Sequence, residues 1–192
     1  RMKRYLSLLA LWLSSVQANA APVTYEIDAS HTMVMVSWNH LGFSNPSAHF
    51  GDARGKVVYD ADNVAASSVK VTLPMSGLNA FSTVMTDLLK RYDLLYASSY
   101  PEATFESTKV EPLGDKRLRV TGWLYLKGVR KEVVLTAVIN KVGRYPLGNA
   151  SGIGLNASTT FQRSEFGVNS FIPMVSDEIT VQINLEAANT PP

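Results

Sequence analysis

The sequence predicts an all-β fold, an antiparallel barrel or sandwich, with one short helix covering a mouth of the closed sheet. From Tyr25 onward apolar and polar residues alternate with period two, which sends successive side chains to opposite faces of a strand. Turn-forming stretches such as Leu113-Gly114-Asp115 and Pro146-Leu147-Gly148-Asn149 separate these runs at short intervals. Between Phe81 and Tyr100 the spacing becomes helical.

Taken in order, the first strands are expected at Val23–Ala29 and Thr32–His40. The second carries Val34, Val36, Trp38 and His40 on one face. Lys56–Asp60 follows, and then Ser68-Val69-Lys70-Val71-Thr72-Leu73, with Val69, Val71 and Leu73 on the apolar face. A further strand at Ala103–Glu111 contains Phe105. Leu118, Val120, Leu124 and Leu126 then alternate with Arg119, Thr121, Trp123 and Tyr125, and Gly122 marks a bend or bulge. Strands are expected at Glu132–Asn140 and at Ile153–Arg163, which includes Phe161. Finally Ile179, Val181, Ile183 and Leu185 alternate with Thr180, Gln182, Asn184 and Glu186, the pattern of a half-buried antiparallel strand.

In the helical segment Val84, Leu88, Tyr92 and Leu95 recur at intervals of four, four and three, with Ser82 or Thr83 as N-cap, which predicts a helix over Thr83–Leu95. A helix of two to three turns is marginal alone, so its apolar stripe must cover something, most simply a barrel mouth. About eight strands enclose an interior that side chains fill or that holds one ligand. The medium-sized inward residues leave room. Leu88 and Leu89 of the helical segment are expected on the cavity lining, and a core role is the plain reading of the aromatics Trp38, Phe43, Phe50, Phe81, Tyr92, Tyr96, Tyr100 and Phe105, with Met75 and Met85 nearby. Their clustering around the mouth segments also makes them candidates to line the way in for a long apolar chain.

Composition places the chain among ordinary globular proteins, with 46% hydrophobic and 18% charged residues and a formal net charge of +2. Lys3 and Arg4, the apolar run Leu6–Val16 and Ala18-Asn19-Ala20 have the form of a signal peptide, expected to be cleaved after Ala20. The apolar run would rise only about 16 Å as a helix, roughly half a bilayer core. Residues 1–20 are therefore read as the signal peptide and 21–192 as one domain, with no stable membrane insertion after cleavage. Without Arg1, Lys3 and Arg4 the balance is close to neutral, and no Lys/Arg cluster offers a nucleic-acid footprint. The absence of cysteine rules out disulfides and thiolate metal sites.

No constellation for catalysis stands out. His31, His40 and His49 are nine apart, a spacing that alternates faces, and Gly42 and Pro46 intervene. Asp28 and Asp52 are carboxylates nearby, but without a short i, i+2 or i, i+4 pair and with no cysteine a metal site is not expected. His31 is read as structural, and His40 as a core or pocket residue. Asp177-Glu178 point to opposite faces, and neither a nucleophile elbow nor a P-loop or dinucleotide fingerprint occurs. The expectation is no enzyme and no cofactor.

Five ordered blocks resemble the YceI-like family of bacterial secreted lipid-binding proteins. They are Tyr25-Glu26-Ile27-Asp28-Ala29-Ser30-His31-Thr32; Asn39-His40-Leu41-Gly42-Phe43-Ser44 with Phe50-Gly51-Asp52; and Tyr100-Pro101-Glu102-Ala103-Thr104-Phe105-Glu106-Ser107. Val120-Thr121-Gly122-Trp123-Leu124 through Gly128-Val129 is the fourth, and Arg163-Ser164-Glu165-Phe166-Gly167-Val168 with Val175-Ser176-Asp177-Glu178-Ile179 the fifth. The resemblance implies an eight-stranded, lipocalin-like antiparallel barrel in the periplasm. Its elongated cavity would hold an isoprenoid lipid, a quinone or a prenyl phosphate. Asn39, His40 and Arg163 are the polar candidates at its mouth. Two departures bear on the pocket: Leu94-Leu95 replace the usual Phe-Phe, and Lys127 stands where histidine is frequent. Other readings stay open, namely a small periplasmic enzyme acting on a lipid-like substrate, or a ligand-free stress-response protein, and so does a homodimer.

Overall fold

The alternating runs build eleven strands in the computed structural model, which describes residues 20–190. The expected signal peptide lies outside the described residues, Ala20 excepted. The strands are β1 (Val23–Ile27), β2 (Met33–Ser37), β3 (Ser47–Phe50), β4 (Arg54–Tyr59), β5 (Ser68–Pro74) and β6 (Leu78–Asn79). After the helix α1 (Thr83–Lys90) come β7 (Glu102–Gly114), β8 (Arg117–Leu126), β9 (Val129–Arg144), β10 (Ser151–Gln162) and β11 (Glu178–Asn189). All pairings are antiparallel. β1, β4, β5, β7, β8, β9, β10 and β11 form a ring that closes where Glu26 and Ile27 of β1 pair with Ala188 and Ala187 of β11. This is the closed eight-stranded barrel that the resemblance implied.

β2, β3 and β6 continue three of these strands rather than add new ones. β1 runs into β2 through a 3-10 turn at Ala29–His31, where the Asp28 carboxylate accepts a hydrogen bond from the Ser30 N–H at 2.9 Å. β3 joins β4 across Gly51-Asp52-Ala53, and β5 joins β6 through a 3-10 turn at Met75–Gly77. The breaks face one another. The Gly51 N–H donates to the Gly77 carbonyl at 2.8 Å, and a Cβ on Gly77 would sit 2.2 Å from the Gly51 carbonyl oxygen, so only glycine allows the approach. One wall of the barrel is thus kinked at a common level. The expected single strand Thr32–His40 is accordingly shorter, ending at Ser37: the Trp38 N–H still donates to its register partner Pro46 at 3.2 Å, but proline has no N–H to return and the ladder stops there.

The opposite wall, β7 to β11, is a regular meander. β9 outruns the expected Glu132–Asn140 at both ends, since cross-strand hydrogen bonds continue where Arg130-Lys131 and Lys141-Val142-Gly143 break the alternation. The irregularity expected at Gly122 takes the form of a bulge on β7, where the register shifts between Ser107 and Lys109. The ring of Phe105 fills the place of the missing side chain; a Cβ on Gly122 would lie 2.5 Å from it.

The helix is shorter than the spacing suggested. The Ser82 hydroxyl caps it by accepting from the Met85 N–H at 3.1 Å, and it ends at Arg91, whose backbone is extended with ψ 158°. Arg91 instead clasps Asp93 through two hydrogen bonds of 2.9 and 2.6 Å, and the Leu95 N–H returns to the Leu89 carbonyl at 3.0 Å. The covering stripe is Met85, Leu88 and Leu89, an i, i+3, i+4 set. Val84 and Tyr92, assigned to the stripe from the spacing, stand 81% and 73% exposed.

Asp93 also ties this segment to the β10–β11 loop, because the Ser170 hydroxyl donates to its backbone carbonyl at 2.8 Å and to its carboxylate at 3.3 Å. The hydrogen bond from Arg91 pulls the Asp93 carboxyl down to about 2. A carboxyl depressed in the folded state stabilises above its ordinary pKa near 3.8 and loses that contribution as pH falls toward 2. The stability gap between the parent and Asp93→Asn, from urea midpoints, should therefore narrow between pH 5 and pH 2. A gap that stays constant would refute this linkage.

Candidate functional site

The barrel encloses a cavity of about 450 Å³, within the roughly 300–1,000 Å³ of small-molecule sites. Its wall follows from the alternation. β8 contributes Leu118, Val120, Leu124 and Leu126; β9 contributes Val133, Leu135, Ala137 and Ile139; β11 contributes Ile179, Val181, Ile183 and Leu185. From the kinked side come Val34 and Val36 of β2, Phe50 of β3, and Val69, Val71 and Leu73 of β5. The cavity is open for a reason visible in its residue sizes. On the wall opposite the kinks Ala157 of β10 pairs directly with Ala137 of β9, so two methyl groups stand where larger side chains would meet at mid-barrel. Met85, Leu88 and Leu89 of α1, with Leu94 and Leu95 beyond it, close one mouth.

Of the residues singled out from sequence, Trp38, His40, Phe105, Phe161 and Arg163 join the aliphatic set just described in facing the cavity, as do Leu88, Leu89 and Leu95. Four others do not. Phe43 sits at the tip of the β2–β3 loop, 89% exposed, because Gly42 turns there with φ 77°. Phe81, with φ 68°, is rotated outward, and its ring meets the edge of His49 at 5.1 Å between centroids. Tyr92 follows the extended Arg91 out of the helix. Asn39 organises the same loop as Phe43: its side chain accepts from the Gly42 N–H at 2.9 Å and donates to Asn45 at 3.1 Å.

Arg163 lines the cavity yet spends its guanidinium on the backbone. It is 6% exposed and donates to the carbonyls of Ser176, Val168 and Val175 at 2.9, 2.8 and 3.0 Å, stapling the β10–β11 loop shut. Burial lowers its pKa. Asp177 nearby accepts from the Ser164 N–H and hydroxyl at 2.7 and 2.6 Å, which lowers the Asp177 pKa.

Several lining residues were missed although the pattern contained them. Val133 through Ile139 and Ile153 through Ala157 fall at alternate positions of strands already predicted. Phe171 and Val175, on the β10–β11 loop, carry no periodic signal. Among the described lining residues the ionisable groups are His40, Tyr59 and Arg163, and none is a carboxylate. The surface is built for apolar contact with a few hydroxyls.

A separate polar cluster lies away from this lining. Asp28, His31 and Glu186 place ligand atoms within 4.8 Å of one another, a set that a divalent cation could use. Asp28 and His31 already satisfy each other through a 2.7 Å hydrogen bond, which raises the His31 pKa and lowers that of Asp28, and the Tyr145 hydroxyl reaches Glu186 at 3.3 Å. His40 and His49 lie apart from it. No helix among the described residues is long and apolar enough to cross a membrane.

This architecture has known counterparts. A UPF0312 protein of Pseudomonas savastanoi pv. phaseolicola is 33% identical over 188 residues, covering 96% of this chain and 97% of its own. Burkholderia cenocepacia BcnA superposes with a TM-score of 0.75 at 22% identity, over 84% of this chain and 99% of that one. A domain from Saccharophagus degradans, described as polyisoprenoid binding and implicated in plant cell wall breakdown, superposes with a TM-score of 0.64 at 14% identity, over 87% of this chain and 98% of that one. At those identities the two structures speak for the fold. The profile of the YceI-like domain matches residues 25–187, nearly the whole barrel, and the chain belongs to the YceI-like domain family.

Proposed function

We propose that this protein is a periplasmic lipid-binding protein that sequesters or carries a polyisoprenoid, of quinone or prenyl phosphate type, in the barrel cavity. The observation that carries the reading is the cavity itself, apolar along its length and free of carboxylates among its described lining residues. Burying about twenty chain carbons at roughly 0.8 kcal/mol each gives about 16 kcal/mol of gross transfer energy. That exceeds the roughly 12 kcal/mol of nanomolar binding and leaves room for the cost of ordering the chain. The polyisoprenoid-binding description of the Saccharophagus domain, which shares the fold, supports this ligand class. The signal-like N-terminus supports export.

Binding accounts for the site better than catalysis. An enzyme acting on a lipid-like substrate needs an acid and a base converging on the reacting atoms. Arg163 is committed to three carbonyls, and His40 stands at the exposed end of the lining. Sequestration needs no such pair, only a mouth that opens, for which the α1 segment is the movable element.

Native mass spectrometry on protein expressed with its N-terminal segment and recovered from a bacterial periplasm tests the reading. The expected species starts at Ala21 and carries an adduct with the mass of an isoprenoid quinone or prenyl phosphate, released by denaturation. Protein that is free of adduct and also fails to take up added quinone would overturn the lipid assignment. A chain retained in the cytoplasm with residues 1–20 attached would overturn the location.

A further inference from the structure

The barrel's two ends differ in their exposed side chains. β2, β10 and the strands that flank α1 all point their connections to the same end, the one that α1 covers. Leu41, Phe43, Phe81, Val84, Phe171 and Met174 are exposed there, four of them by 60% or more. Contacts make them neighbours rather than scattered residues. The Leu41 N–H donates to the Met174 carbonyl at 2.9 Å, His40 forms a bridge with Val175, and Phe81 meets His49 of the strand that leaves the Phe43 loop. The three segments that supply these side chains, residues 38–50, 71–86 and 166–176, contain no Asp, Glu, Lys or Arg, in a chain that is 18% charged. Solvent-facing loops are ordinarily polar, and a contiguous apolar patch on them marks a surface that is covered in use.

The patch also joins the cavity. Phe171 is 45% exposed and at the same time lines the interior, and His40 and Val175 of the same two loops line it as well. A partner that covers the rim therefore touches the mouth. We propose that this rim docks the barrel, mouth first, on the surface of a phospholipid bilayer, with the phenylalanines and Met174 inserted among the headgroups. The inference rests on the reading that the cavity takes a membrane lipid. A cargo with no path through water must pass between bilayer and cavity along a continuous apolar surface, and these three segments provide one, uncharged themselves although Asp87, Arg91, Asp93 and Lys127 flank them at the same end. The contact proposed is made by loop side chains at the interface, which makes it peripheral and reversible.

The chain has no cysteine, so a single introduced one gives a unique probe position. Phe43→Cys and Met174→Cys at the rim, and Asp115→Cys in the turn at the opposite end, are labelled with an environment-sensitive fluorophore and mixed with phosphatidylcholine vesicles containing no isoprenoid. Emission at positions 43 and 174 should shift to the blue with added vesicles while position 115 stays unchanged. In unlabelled protein, Phe43→Ser combined with Met174→Ser should weaken vesicle binding at least tenfold while quinone supplied in detergent still binds, because neither residue lines the cavity. Equal shifts at all three positions, or none, would overturn the proposal. So would binding confined to anionic vesicles and abolished by salt, which would make the contact electrostatic. A rim shift that grows with protein concentration in the absence of vesicles would assign the patch to a second copy of the chain and overturn it too. Since these vesicles hold no cargo, failure here is distinguishable from failure of the lipid-adduct experiment.

Discussion

Arg163→Ala should destabilise the protein by about 3–5 kcal/mol, because it strips the charge-assisted donors from several buried carbonyls at once. Three carbonyls on one loop, those of Val168, Val175 and Ser176, depend on this guanidinium. Each buried acceptor left unsatisfied costs roughly 1–3 kcal/mol. Relief from desolvating the charge offsets part of that loss, which is why the expected total is below the simple sum. Arg163→Lys separates charge from shape. It keeps a cation but offers a point donor in place of a planar fork, so it should recover less than half of the lost stability. Urea unfolding of the two variants decides the matter. A loss under about 1 kcal/mol for alanine would mean that the loop holds its form without the staple.

The sequence suggested Arg163 as a polar group for a ligand, and the structure gives it a backbone role. That difference marks where sequence reasoning stopped. Strand alternation in β5, β8 and β11 is a local property, and it predicted the inward faces of Val71, Val120 and Val181 directly. What Arg163 bonds depends on where a loop folds back some ten residues later, and no spacing encodes that. The same reason explains Phe43, Phe81 and Tyr92, whose aromatic character suited a cavity but whose outward direction is set by backbone φ at Gly42 and Phe81 and by the break at Arg91. β6, with two residues, is too short for any period to register, and β3 is little longer. Their existence follows from the kinks at Gly51 and Gly77, which only the paired strands reveal. The hollow was the least legible feature. Ala137 and Ala157 are unremarkable in sequence and open the barrel only because they pair across β9 and β10.

That pairing supports the second large effect. In Ala157→Phe the added ring should enter open space, displace the cargo and leave the fold intact. Overfilling a solid core forces neighbouring side chains out of their rotamers and costs about 1–3 kcal/mol. A ring that enters a cavity meets no such resistance and buries its own apolar surface, so the unfolding midpoint should hold or rise. Ala157 faces Ala137 on one side and Ile183 on the other, at mid-barrel, so a phenyl group there divides the cavity of about 450 Å³ rather than trimming one end. The lipid adduct in native mass spectra should fall below one tenth of the parent's occupancy, and Ala137→Phe should act in the same way from the adjacent strand. Two results would count against the hollow-barrel account. A destabilisation of several kcal/mol would mean that the interior is already filled at this level. A stable variant that still carries its adduct would mean that the lipid lies somewhere other than between these strands.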